Sequence, residues 1–305
     1  MIKKIKTACG LLASDKSLFI AEVLKKVSFL FPDELYLKLL FRCMMGYKLN
    51  LKNPKSFSEK LQWLKLYNRN PLYTTLVDKY SVKKWVVEKI GEEHIIPTLG
   101  VWNNAEEIDF SKLPNQFVLK TTNGGGGDVI ICKDKSVFDK KRAIAHLNKG
   151  LKKNIYQTRR EWSYKNVPPR IIAEKYMVEE SGELKDYKFF CFDGIVKCLQ
   201  VDYDRFVEHH RNVYDTEWNL LPFSIQYPSK KNVVIPKPKN FETMLNIAAL
   251  LSKNIPHVRV DLYNINGSVF FGELTFYHGS GYEKFEPKEW DYKFGDWIKL
   301  PAKMR

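Results

Sequence analysis

Phe117-Val118-Leu119-Lys120-Thr121-Thr122-Asn123-Gly124-Gly125-Gly126-Gly127-Asp128-Val129-Ile130-Ile131-Cys132 reads as two short apolar strands joined through four consecutive glycines. The pattern predicts one strand over Phe117-Val118-Leu119-Lys120, its return from Val129 to Cys132, and a connection from Asn123 to Gly127. A glycine run exposes backbone N–H groups with no side chain in the way, so it can fold over phosphates while the lysine that ends the strand neutralises them. It is not a Walker loop, because no GK[ST] follows and the loop joins strands instead of opening a helix. Taken alone, the stretch reads equally well as a flexible surface turn.

Upstream, apolar residues recur at helical spacing from Ser17 to Leu51, and Pro32-Asp33 divides them into two helices. Ser56-Phe57-Ser58-Glu59 has the form of a capping box that opens a helix through Lys60 to Tyr67. Another helix is expected from near Leu76 to Ile90, ended by Gly91. Downstream, a basic helix is expected from Lys140 to Leu151. Beyond Pro168-Pro169, strands are expected over Arg170 to Val178, Lys185 to Phe192 and Ile195 to Tyr203, with Asp193-Gly194 as a hairpin turn. A helix from Phe241 to Lys253 then leads to strands over Val258 to Tyr263 and Val269 to Thr275, joined through Asn266-Gly267. At 305 residues the chain exceeds the about 250 that one core usually serves. The expected division is a helical region over 1–75, a unit carrying the glycine-rich loop over 76–169, and a final unit over 170–305.

A second constellation lies in that final hairpin, in Arg259-Val260-Asp261 and Gly272-Glu273-Leu274-Thr275. Carboxylates on adjacent strands suit Mg²⁺, which takes a few protein oxygens and completes its shell with water and phosphate. A three-residue loop over Asn266 to Ser268 would set Asp261 opposite Glu273 with Cβ atoms about 5 Å apart. A two-residue loop would send them to opposite faces of the hairpin. A third signal, Ile171-Ile172-Ala173-Glu174-Lys175-Tyr176-Met177, leaves an apolar run for polar and aromatic residues, as a strand end reading an adenine edge would.

The order of these pieces resembles the ATP-grasp superfamily, and their wording resembles its TupA-like branch, associated with teichuronopeptide and other surface-polysaccharide synthesis. The resemblance runs from Asn53 to Pro301. It rests on Asn53-Pro54-Lys55-Ser56-Phe57-Ser58-Glu59-Lys60-Leu61-Gln62, on Asp78-Lys79-Tyr80, on Lys120 with its glycine loop, and on Arg259-Val260-Asp261-Leu262-Tyr263. It implies an α+β fold in which two α+β subdomains hold ATP between them, here behind an N-terminal helical extension. Lys79 and Lys120 would contact phosphates, with Asn123, Gly124, Gly125, Gly126 and Gly127 closing over them. Glu174, Lys175, Tyr176 and Met177 would frame adenine, and Asp186 would hold ribose. Asp261 and Glu273 match the Mg²⁺ ligands, Thr275 stands where the family usually has Asn, and Arg259 would meet the phosphoryl oxygens. The implied reaction is carboxylate–amine ligation through an acyl phosphate. Lys188 and Arg205 border the expected cleft and are candidates for holding the substrate carboxylate or phosphate. In this pathway the carboxylate partner would be an acidic sugar or capsular polysaccharide, and the amine an amino acid.

Composition constrains the alternatives. Hydrophobic residues at 44% and aromatics at 14% exclude a disordered chain. The formal net charge of +15 draws polyanions, and Lys133 to Arg160 alone holds ten basic residues against Asp134 and Asp139. No nucleic-acid fingerprint accompanies that charge, and no nucleic-acid partner is expected. Five scattered cysteines without a CxxC or Cys/His cluster argue against zinc and for a reducing compartment. No stretch reaches the about 18 apolar residues of a membrane span. The chain reads as cytoplasmic, with peripheral contact at the inner face of the membrane left open by the basic N-terminal helices. The rival reading is a glycosyltransferase, suggested by Asp202-Tyr203-Asp204 as a DxD pattern, though no early Gly-rich Rossmann turn accompanies it. His209-His210 reads as a surface or substrate-side loop, and His278, among the glycines after the acidic hairpin, as the better functional histidine.

Overall fold

A computed structural model describes residues 16–124, 128–179, 185–203, 210–230, 233 and 235–304. The chain opens with α1 (Lys16–Lys26), α2 (Asp33–Met45), α3 (Phe57–Tyr67), α4 (Leu72–Val77) and α5 (Ser81–Ile90). The capping box is formed: Ser56 Oγ accepts from Glu59 N, and Glu59 Oε2 accepts from Ser56 N. The single helix expected from near Leu76 is instead two. Asp78 is extended between them, and its side chain accepts from Tyr80 N and Ser81 N, which starts α5 afresh.

Next come β1 (Thr98–Trp102), β2 (Phe117–Thr121), β3 (Val129–Cys132), the basic α6 (Lys140–Leu151), the short α7 (Ile155–Arg159) and β4 (Ile171–Lys175). The four strands form an antiparallel sheet in the order β1-β4-β2-β3. Phe117, Leu119, Ile171 and Ala173 face α6, which returns Leu147 and Ala143. Alternation then sends Val118, Lys120, Ile172 and Glu174 to the other face.

The remaining strands are β5 (Asp186–Phe192), β6 (Ile195–Tyr203), β7 (His210–Tyr214), the two-residue β8 (Ser224–Ile225), β9 (Val258–Ile265), β10 (Ser268–Thr275) and β11 (Phe285–Glu286). Helix α8 (Phe241–Ser252) precedes β9, and α9 (Glu289–Trp297) follows β11. A five-stranded antiparallel sheet has the order β10-β9-β5-β6-β7. One face, with Phe189, Val260 and Leu262, packs on α8, where Phe189 stacks on Phe241. The opposite face is split along its length. Its lower half, Phe190, Phe192 and His257, is covered by Phe57 of α3 and by Phe294 and Trp297 of α9. Its upper half is charged and faces the first sheet.

The packing departs from the expected division in two places. Helices α2 to α5 share one continuous core with the five-stranded sheet, so 1–75 does not pack as a region of its own. Strand β4 hydrogen-bonds to β1 and β2, so the first sheet extends past 169. Both departures have one cause: an apolar stripe or strand edge is completed by whichever partner lies beside it in space, and that partner is distant in sequence. Helices α3 and α9 illustrate the closeness. A methyl on Gly295 would sit 2.1 Å from Lys55 O, beside the α3 cap. Gly295→Ala is therefore expected to cost roughly 1–3 kcal/mol, because the clashing atoms are backbone. Urea unfolding followed by tryptophan fluorescence would measure it, and an unchanged midpoint would contradict this packing. No described helix is long and apolar enough to cross a membrane.

Candidate active site

The acidic hairpin settles the register question by neither expected route. Asn266 and Gly267, at φ 50° and 82°, form a two-residue turn in which Ile265 pairs with Ser268. Asp261 nevertheless lies opposite Glu273, because a bulge between Phe271 and Glu273 shifts the register by one residue. The extra residue is Gly272, whose missing Cβ would lie 2.9 Å from Asp261 O. The bulge thus turns Glu273 onto the face that carries Arg259 and Asp261.

A buried carboxylate, Asp261, beside a half-buried one, Glu273, demands a cation, and Arg259 supplies it. Its Nε and Nη2 are 2.7 and 2.6 Å from the two Asp261 oxygens, and Nη2 is 3.1 Å from Thr275 Oγ1 and 3.6 Å from Glu273 Oε1. Burial still pushes the Asp261 carboxyl up to about 6 against the pull of Arg259. At Glu273, burial presses upward, but Lys79 and Arg259 outweigh it and hold the carboxyl below its ordinary value. Asp261, Glu273 and the Thr275 hydroxyl fit Mg²⁺ in the chemistry of their donors, hard oxygens on one face, while Arg259 and Lys79 balance the two carboxylates in this structure. Among the described residues no group of three or more His, Cys, Asp or Glu could hold a metal. Such a set suits an ion that completes its shell with water and phosphate, not an all-protein cage.

Lys79 joins this hairpin to the glycine loop. Its N–H donates to Thr122 O, and its Nζ donates to Gly124 O and lies 4.0 Å from Glu273 Oε2. Burial lowers the Lys79 pKa, with Glu273 opposing. Lys120 Nζ is 2.5 Å from Glu174 Oε2, and the second Glu174 oxygen is held by Lys83 at 2.6 Å. Burial would raise the Glu174 carboxyl, yet these two lysines keep it low. Asn123 Nδ2 donates to the Leu151 and Lys153 carbonyls, tying the loop to the end of α6. Gly125, Gly126 and Gly127 lie outside the described residues, as does Arg205. The Lys175 amide donates to Pro97 O, so that donor is engaged within the fold; Tyr176 and Met177 are half-buried just beyond β4.

On β5, Lys188 Nζ is 2.7 Å from Asp186 and 3.2 Å from Asp202. Asp202 also accepts from Arg211 Nε at 2.8 Å and from Gln200 Nε2 at 3.0 and 2.9 Å. Its oxygens are therefore engaged by side chains, as those of Asp261 are by Arg259; Asp204 lies outside the described residues. Two histidine and arginine expectations change. His210 is buried on β7 and stacks on Tyr203 instead of lying on the surface, and His209 is outside the described residues. Arg160, the last residue of the basic stretch that begins at Lys133, is not part of a charged surface but is buried against Asp33 and the Ser28 and Phe31 carbonyls, with Tyr36 under its guanidinium. It anchors α2.

Lys83, Arg211 and Glu283 were missed in the sequence. Lys83 stands four residues after Lys79, close to one helical turn, and that spacing was its only local signal. Arg211 and Glu283 reach the site through pairings 72 residues apart, for which no local pattern exists.

A family model described as TupA-like ATPgrasp matches residues 59–299. Among solved structures, a D-alanine–D-alanine ligase from Bacillus anthracis is similar at 17% identity and TM-score 0.38, over 66% of this chain and 57% of that one. The same enzyme from Helicobacter pylori is similar at 12% identity and TM-score 0.44, over 81% and 68%. The D-cycloserine synthetase DcsG is similar at 14% identity and TM-score 0.39, over 74% and 70%. The matched region thus spans less than two thirds of the Bacillus anthracis enzyme. No curated protein matches the chain.

Proposed function

From the premise that this chain belongs to the TupA-like ATP-grasp family, we propose that it is a ligase that uses ATP and Mg²⁺ to join a carboxylate to an amine. The observation that carries the reading is the convergence of Lys79, Glu273, Asp261 and Arg259 where the two sheets meet, with Gly124 held by Lys79 beside them. Bound Mg²⁺ would neutralise phosphate charge, held by Asp261 and Glu273 with Thr275 beside them. Lys79 and Lys120 would bind the phosphates, and Glu174, braced between Lys120 and Lys83, would orient Lys120. The face that carries Lys120 also bears the half-buried Val118, with Ile172 buried beneath, an apolar floor suited to a nucleobase near the carbonyls of Lys175 and Met177. Asp186 would take the ribose hydroxyls.

In the first step a substrate carboxylate oxygen attacks the γ-phosphorus and the bond to ADP breaks, giving an acyl phosphate. Arg259 meets the charge spread over the transferring oxygens. The amine then attacks the acyl carbon and phosphate departs, which requires that water be kept out. Lys188 and Arg205 are candidates for holding the carboxylate. Release of ADP from a panel of uronic acids and amino acids, with mass detection of the amide, tests the reading. Release of UDP from a sugar nucleotide would favour a glycosyltransferase instead.

The basic strip points to an acidic sugar within a surface or capsular polysaccharide as the carboxylate. Lys141, Arg142, Lys149 and Lys152 are exposed and make no ion pair among the described residues. A charged track speeds encounter with a polyanion and is screened over about 8 Å at physiological ionic strength. Activity on a polyuronate is therefore expected to fall more steeply with salt than activity on the monosaccharide. Reversal of Lys140, Lys141 and Arg142 to Glu should erase the difference. Equal salt dependence in the unaltered protein would sink the glycan track. Exposed Phe29 (78%) and Leu30 (64%), close to Lys25 and Lys26, support peripheral contact with an anionic membrane.

A further inference from the structure

His278 follows β10 in a loop whose next three residues, Gly279, Ser280 and Gly281, all have φ between 54° and 69°. The loop is pinned from α3: Lys65 Nζ donates to Ser280 O at 2.8 Å and contacts Ser280 Oγ at 2.9 Å, and Gln62 Nε2 donates to Ser280 O and Gly281 O. The His278 ring is buried, edge-on to Phe190 at 4.9 Å. Its Nδ1 lies 2.6 Å from Arg259 Nη1. A guanidinium has only donors, so Nδ1 must be the acceptor and the ring proton must sit on Nε2. Nε2 is 2.8 Å from Glu283 Oε2, and that carboxylate is 2.9 Å from Arg211 Nη1. The Nε2–H is close to Glu283 without being aligned on it as a hydrogen bond, so the contact of Nδ1 with the Arg259 donor is what fixes the tautomer.

We propose that His278 is a positioning residue for phosphoryl transfer: a neutral imidazole in its Nε2–H form, with the Glu283 carboxylate near that nitrogen, whose Nδ1 accepts from Arg259 and aims the guanidinium at the phosphoryl site. The proposal rests on the reading of Arg259 as the group that meets the transferring oxygens, and adds what orients it. Asp261 fixes one edge of the guanidinium and His278 fixes the other, so the planar fork has one orientation. Loss of His278 leaves Nη1 buried without an acceptor, free to be satisfied only by turning the fork.

Two measurements test this. In two-bond ¹H–¹⁵N spectra of the full chain near neutral pH, with the His278 signals identified by their loss in His278→Gln, Nε2 is expected to be protonated and Nδ1 bare. An Nδ1–H tautomer or an imidazolium would overturn the proposal. The second measurement uses Mg²⁺, ADP and fluoroaluminate, a mimic of the phosphoryl group in transfer, and needs no knowledge of the acceptor. His278→Leu is expected to lose about 10-fold or more in affinity for the fluoroaluminate complex while ADP affinity changes less than about 2-fold. His278→Gln, whose amide oxygen can accept from Arg259, should stay within about 3-fold of the unaltered protein for both. Equal losses for the two probes, or equal behaviour of the Leu and Gln variants, would overturn it. Failure of the unaltered protein to bind ADP would overturn the nucleotide reading, and the proposal with it.

Discussion

Glu273→Gln is expected to remove nearly all ADP formation while the protein stays folded. Glu273 is held below its ordinary pKa despite burial, which means that Lys79 and Arg259 bind its charged form. The amide keeps the shape and removes the charge. Lys79 and Arg259 then lose a counterion, and a metal ion placed opposite Asp261 loses a carboxylate. Even outer-shell losses at metal sites cost about 10–100-fold, so loss of a direct ligand should exceed that range. The fold should persist, because the Glu273 side chain is 36% exposed and water can replace part of the pairing that Lys79 and Arg259 lose. Near-normal ADP release would sink the metal assignment, and a collapsed thermal transition would show Glu273 to be structural.

Lys120→Ala is expected to lower ATP affinity by about 10–100-fold, the loss of one charge-assisted hydrogen bond in a partly desolvated cleft. The structure makes the variant informative, because Glu174 would remain paired with Lys83 at 2.6 Å. An orphaned carboxylate would otherwise confuse the result. Calorimetric titration with ATP would read the effect directly. Unchanged affinity would leave Lys120 as a partner of Glu174 alone.

Much of the fold was legible locally. Ser56 and Glu59 mark the start of α3, and Asn266-Gly267 marks the last hairpin. The alternation in Val258-Arg259-Val260-Asp261-Leu262 separates an apolar face from a charged one before any partner is known. These signals are local because they follow from backbone dihedrals, capping and the period of side chains along an element. The same rules put Lys120 at the mouth of the glycine loop and Arg259 in step with Asp261.

Other features needed the tertiary structure. The turn residues argued for a two-residue loop, and that loop alone would have set Asp261 and Glu273 on opposite faces. Gly272, one residue out of step, brings them together, and whether a glycine bulges depends on the strand beside it. Arg160 and Arg259 are the same residue type, but one is sequestered by Asp33 and Tyr36 while the other lies between Asp261 and His278. By itself the sequence determined which residues could carry charge to the site and on which elements. Register and long-range packing decided which of them meet, because a one-residue shift reverses a strand's faces and an ion pair joins whatever the fold brings near.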